Sequence, residues 1–171
     1  MTLIVCPLHA VGDEIRRSSP ARILSLLAPH QEAPEAPPGV PQLVLRFHDI
    51  SRPTPGFVAP DRAMVAAILA FGAAWIEPGP LLVHCWMGIS RSTAAAFILA
   101  CAADSSRAEL EIARALRRAS PTATPNPLVV ALADELLDRD GRLVAAAAAI
   151  GRGAEADHGS PFQLAARSRA R

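Results

Sequence analysis

A chain of 171 residues, 51% of them apolar, has the size of one domain with room for an appended tail, and ample material for a packed core. Its formal charge of +1 supplies no electrostatic footprint for nucleic acid or an anionic membrane, so neither is expected as a partner. Cys6, Cys85 and Cys101 are too few and too widely spaced for a disulfide scaffold or a CxxC zinc site, which suits a reducing cytoplasm.

In chain order, Leu3 to Cys6 is an apolar run ended by Pro7, the pattern of a buried first strand; the N-terminus lacks the charged flank of a signal peptide. Arg22 to Leu27 reads as strand or helix. The proline-rich stretch from Pro29 to Pro41 is a loop, and Gln42 to His48 alternates as a strand that leaves Asp49 at its C-terminal end. Residues 51–60, with three prolines and Gly56, form a second long loop, and both loops are expected to shape a pocket mouth. Asp61 is a candidate N-cap for a helix running to Trp75. The apolar stretch from Ala63 to Ile76 falls short of the ~20 residues that cross a bilayer.

Leu81 to His84 is a buried strand, and Thr93 to Ala103, apolar on all sides, is a central buried helix. Ser106-Arg-Ala-Glu109 reads as a capping box. A Pro-Thr-rich loop from Ser120 to Pro127 opens onto a helix from Leu128 to about Leu137. A last helix spans Leu143 to Ile150, and the segment from Gly151 reads as a loosely packed tail in which Arg167, Arg169 and Arg171 are solvated. Strands alternating with helices predict an α/β fold with a mainly parallel central sheet flanked by helices. The division expected is a domain over 1–140 and, over 141–171, a C-terminal helix and tail packed on it or trailing from it.

The informative stretch is His84-Cys85-Trp86-Met87-Gly88-Ile89-Ser90-Arg91-Ser92, between the buried strand at 81–84 and the helix at 91–103. Cysteine, five residues and arginine close a loop at a helix N-terminus. The backbone N–H groups of Trp86, Met87, Gly88, Ile89, Ser90 and Arg91 can then cradle a phosphate dianion. Arg91 offers a planar fork for two phosphate oxygens, and Gly88 permits the bend. The same field favours the Cys85 thiolate, whose unperturbed pKa is ~8.5, and makes it a nucleophile aimed at phosphorus. Ser92 can hydrogen-bond the sulfur, and His84 is expected to order the loop through bonds to its backbone. No His/Cys/carboxylate cluster calls for a metal, and no cofactor is expected.

This nonapeptide, in its strand–loop–helix setting, resembles the signature of the protein tyrosine phosphatase superfamily, specifically its compact dual-specificity branch. The resemblance spans roughly Leu3 to Leu137. It implies a phosphotyrosine phosphatase-like fold, a phospho-cysteine intermediate and a phosphorylated protein, or another phosphate monoester, as substrate. Asp49 stands where that family carries its general acid, with Asp61 as competitor; Pro121 to Asn126 resembles the family's Pro-Asn segment. Asn126 either orients the loop or caps the following helix. The family's phosphoinositide-directed members carry basic residues in this loop; here there is none besides Arg91, which disfavours an inositol lipid. The alternative readings are a phosphate-binding module without turnover and a phosphatase of a nucleotide, lipid or RNA 5′ end. Cys101 reads as core, whereas Cys6 is a candidate partner for oxidised Cys85.

Overall fold

The computed structural model describes residues 1–167. Strand β1 (Thr2–Pro7) leads through a 3-10 turn, Leu8–Ala10, into helix α1 (Val11–Ser18). Strands β2 (Arg22–Leu27) and β3 (Gln42–Arg46), helix α2 (Arg62–Ala73), strand β4 (Leu81–Cys85) and helix α3 (Arg91–Ala103) follow. Helices α4 (Glu109–Ala119), α5 (Pro127–Leu136) and α6 (Arg142–Ile150) precede a final strand, β5 (Phe162–Ala165). The sheet order is β3-β2-β4-β1-β5; the first four strands are parallel and β5 runs antiparallel to β1.

Alternation along the strands divides the core in two. Leu3, Val5, Leu24, Leu26, Leu81, Val83 and Cys85 face α2 to α6, whereas Ile4, Cys6, Ile23 and Leu82 face the smaller side closed by Val11 of α1 and by Ala36 and Val40. Strand β4 lies between β1 and β2 with all five residues buried. Every residue of α3 from Arg91 to Cys101 is buried too. An apolar helix with no polar stripe can be satisfied only by packing all round, and it does so between the sheet and α2, α4 and α5. A crevice at the carboxyl ends of the central parallel strands follows from this topology, and the loop from Cys85 to Arg91 occupies that end.

The structure decides several local expectations. Residues 22–27 are a strand, because Ile23 and Leu24 bury themselves on opposite faces of the sheet. The Ser106–Glu109 capping box does not form: α4 begins at Glu109 with Ala108 in the N-cap position. The Ser106 hydroxyl instead donates to Asp104 (2.6 Å), and the buried Glu109 carboxylate pairs with Arg139 (3.1 Å) and Arg142 (3.2 Å). Asp61 does cap α2, accepting from the Met64 N–H at 2.8 Å.

The segment after Gly151 is not a loose tail. Asp134 on α5 accepts the Gly141 and Leu143 N–H groups (2.6 and 2.7 Å) and thereby caps α6 across an interface. Arg117 holds the Ile150 and Gly151 carbonyls as the chain leaves α6. The segment then crosses to the sheet, where Phe162 and Leu164 are buried opposite Val5 and Leu3. Arg167 donates to the Ala103 carbonyl (3.0 Å); Arg169 and Arg171 lie outside the described residues. Among the described residues, no helix is long and apolar enough to cross a membrane.

Candidate active site

Cys85 ends β4, fully buried, and the chain turns through Trp86 to Ser90 before entering α3 at Arg91. Gly88 makes the turn with φ +71°, and a Cβ there would lie 2.7 Å from the Pro7 nitrogen, so only glycine fits both the conformation and the space. The Trp86 and Met87 side chains stay exposed on the rim.

The loop's carbonyls are held from outside. Trp86 O accepts from the Leu8 N–H (3.2 Å), Met87 O from Gly159 (2.8 Å), Ile89 O from Thr124 (2.9 Å), and Ser90 O from Asn126 (3.3 Å). Across a trans peptide, a carbonyl and the following N–H point in opposite directions. With these four carbonyls turned outward, the N–H groups of Met87, Gly88, Ser90 and Arg91 face the interior of the loop. The Gly88 N–H reaches the Cys85 Sγ at 3.2 Å, and the Ser92 hydroxyl lies 3.1 Å from the same sulfur.

Arg91 is 5% exposed, with one Nη donating to the Phe47 carbonyl at 2.9 Å and the guanidinium carbon 5.9 Å from the Phe47 ring centroid. Its Nε has no hydrogen-bond partner, and no carboxylate pairs with it among the described residues. A buried cation without a counter-charge is costly unless an anion supplies one. The amides, the N-terminus of α3 and this guanidinium together could hold an oxyanion over a thiol.

Asp49, exposed at the rim, is brought to this loop. Its Oδ1 accepts from the Ser90 hydroxyl and from the Asn126 side-chain amide, both at 2.7 Å. Asn126 is buried, and of the two roles the sequence left open its side chain takes the helix cap, while its backbone N–H bonds the loop at Ser90 O. Its Oδ1 caps α5 by accepting from the Leu128 and Val129 N–H groups (3.0 and 3.1 Å), while its Nδ2 ties down Asp49 and the Ile50 carbonyl. Asp61 is engaged in capping α2, accepting from the Met64 N–H.

His84 departs from expectation. It makes no bond to the loop backbone; its Nε2 lies 2.7 Å from the Ser25 hydroxyl, to which the Gln42 side chain donates (3.0 Å). Parallel pairing places His84 beside Ser25 and so threads a polar chain across β3, β2 and β4. Burial, with the Arg91 charge adding to it, pushes the imidazole down to about 4, so it is neutral at ordinary pH. Sequence reasoning missed Ser25 and Gln42, although one serine inside the apolar run Ile23 to Leu27 was a signal.

Cys6 faces the smaller core while Cys85 faces the larger one, which works against a bond between them. Burial pushes both the Cys6 and Cys101 thiols up to about 12, with Glu14 and Cys85 adding to the effect at Cys6 and Glu109 at Cys101. Both are inert as thiols. His48 accepts from the Val58 N–H (2.9 Å) and His9 packs edge-on against His158, so each is locally engaged. No group of three or more metal-ligating side chains occurs among the described residues.

No family model matches the chain, and no curated protein is similar to it by sequence. Solved structures are similar. Human DUSP28 superposes with a TM-score of 0.61 at 22% identity, over 81% of this chain and 94% of that one. DUSP15 gives 0.60 at 19% identity over 85% of each chain, and the Yvh1 phosphatase domain from Chaetomium thermophilum gives 0.58 at 22%, over 81% and 92%. The chain has the dual-specificity phosphatase fold.

Proposed function

We propose that this protein is a phosphate monoester hydrolase that works through a phospho-cysteine intermediate and acts on phosphorylated protein, with phosphotyrosine the favoured group. One observation carries the reading: Arg91 is buried with an unpartnered Nε beside a loop whose carbonyls are bonded outward and whose Gly88 amide donates to the Cys85 sulfur. The dual-specificity phosphatase fold supports it.

The Cys85 thiolate attacks phosphorus, forming the S–P bond as the P–O bond to the leaving group breaks. Arg91 and the loop amides hold the three equatorial oxygens through the transition state. Asp49 donates its proton to the departing oxygen through Oδ2, the oxygen not occupied by Ser90 and Asn126. Asp49, now ionised, takes a proton from water as that water attacks phosphorus, and the thiolate leaves with the Ser92 hydroxyl hydrogen-bonded to it. A phenolate, whose conjugate acid has a pKa of about 10, leaves more readily than a serine alkoxide, which favours phosphotyrosine. The three free cysteines suit a reducing cytoplasm as the working compartment.

The test is an aryl phosphate assay at mildly acidic pH with and without vanadate. Vanadate-sensitive turnover by the wild type and none by Cys85→Ser is expected. Undiminished activity in Cys85→Ser would overturn the mechanism, and an inactive wild type that still binds phosphopeptide would point to a binding module.

A further inference from the structure

The carbonyls of Trp86, Ile89 and Ser90 are held by Leu8, Thr124 and Asn126, all within the span that resembles the phosphatase family. The fourth anchor comes from elsewhere. Gly159, on the crossing between α6 and β5, donates its N–H to Met87 O at 2.8 Å. That carbonyl belongs to the same peptide plane as the Gly88 N–H, which points at the Cys85 sulfur from 3.2 Å. Fixing one end of the plane aims the other.

We propose that Gly159 is a positioning residue for the phosphate loop: through Met87 it orients the Gly88 amide toward the Cys85 sulfur and the bound phosphoryl group. The proposal rests on the phosphatase reading of that loop, and it gives the C-terminal segment a part in the reaction.

The approach of Gly159 is set from both sides. Upstream, the Gly153 N–H donates to the Thr124 hydroxyl (3.1 Å) and the Ala154 N–H to the Pro121 carbonyl (2.9 Å). Downstream, Phe162 and Leu164 pair with Val5 and Leu3 in the sheet. The neighbouring His158 ring packs edge-on against His9, centroids 5.0 Å apart, in the same turn that anchors Trp86 through Leu8. Only a glycine fits between these fixed ends. A Cβ at 159 would stand 2.8 Å from the Gly88 carbonyl oxygen, against backbone that has no rotamer with which to move aside. The same segment, with Met87, Ile89 and Ser90, lines a groove of about 680 Å³, so displacement of the loop would also change the floor of that groove.

Gly159→Ala in the full chain tests this, with Ser160→Ala as a control on the same segment. The expected result is a loss of kcat of at least about tenfold on an aryl phosphate, with a matching loss of vanadate affinity per folded molecule. A merely structural glycine would lower the melting temperature and leave vanadate affinity per folded molecule unchanged. Wild-type kcat and vanadate affinity in folded Gly159→Ala would overturn the proposal. Amide hydrogen exchange on the wild type supplies a second readout should the variant not fold. The Gly159 N–H is expected to be protected, and exchange at the rate of an open chain would overturn the brace. Wild-type protein that neither turns over the ester nor binds vanadate would sink the phosphatase reading instead, and Gly159 exchange would still report on its bond to the loop.

Discussion

The side-chain amide of Asn126 and the carboxylate of Asp49 meet at 2.7 Å, and the carboxylate oxygen they share also takes the Ser90 hydroxyl at 2.7 Å. One residue thereby joins the start of α5, the segment after β3 and the phosphate loop, to which its own N–H is bonded through Ser90 O. In the proposed mechanism this is the carboxyl group that protonates the leaving oxygen.

Asp49→Ala should therefore reduce kcat by roughly a hundredfold or more on alkyl and unactivated aryl esters, and by much less on an ester with an acidic leaving group. Asp61→Ala should leave kcat near wild type and cost about 1 kcal/mol as a lost helix cap. Leaving-group dependence of kcat and denaturant melts on both variants separate the two carboxylates. Equal losses across leaving groups in Asp49→Ala would assign the proton elsewhere.

Asn126 should betray its double duty. Asn126→Ala removes the α5 cap and the Asp49 anchor together, with an expected loss of about 1–2 kcal/mol in stability and of kcat on poor leaving groups. Asn126→Asp keeps an acceptor for the Leu128 and Val129 amides while losing the donor to Asp49. Stability should then recover more than kcat does, which paired melts and kinetics would read.

Arg91→Lys keeps the charge but loses the fork, and its flexible ammonium cannot supply two parallel N–H groups at the loop. Phosphate affinity and kcat are expected to fall together, kcat by about a thousandfold, as they do when oriented oxyanion donors are removed. Retention of vanadate binding within a few-fold of wild type would contradict the role given to the unpartnered Nε.

His84 gives a pH signature. Its folded pKa of about 4 lies below the 6.5 of an ordinary imidazole. Between those values the unfolded chain binds a proton that the folded chain does not, so this group's contribution to stability falls as pH drops from 6.5 toward 4 and is constant above. The loss is on the order of 3 kcal/mol across that window. His84→Gln should flatten this part of the stability profile in chemical melts taken at several pH values. An unchanged slope would mean that the imidazole is not buried neutral.

The candidate site was legible in the sequence because it is local: nine consecutive residues carry the thiol, the glycine bend and the arginine between a buried strand and a buried helix. The parallel sheet was legible in its apolar runs. What escaped depends on contacts between segments distant in the chain. The Gln42–Ser25–His84 chain exists only because β4 pairs with β2 and β2 with β3 in these registers. Gly159 meets Met87 only after the chain has crossed from α6 to β5, and β5 itself is four residues whose alternation is too brief to announce a strand. Glu109, read as half of a local capping box, is taken instead by arginines on later segments.

The most direct test of the account is to catch the intermediate. Rapid acid quench of the wild type or Asp49→Ala with an aryl phosphate, followed by peptide mass spectrometry, should find a phosphoryl group on the peptide containing Cys85 and none in Cys85→Ser. Continued turnover with no adduct on Cys85 would contradict the account.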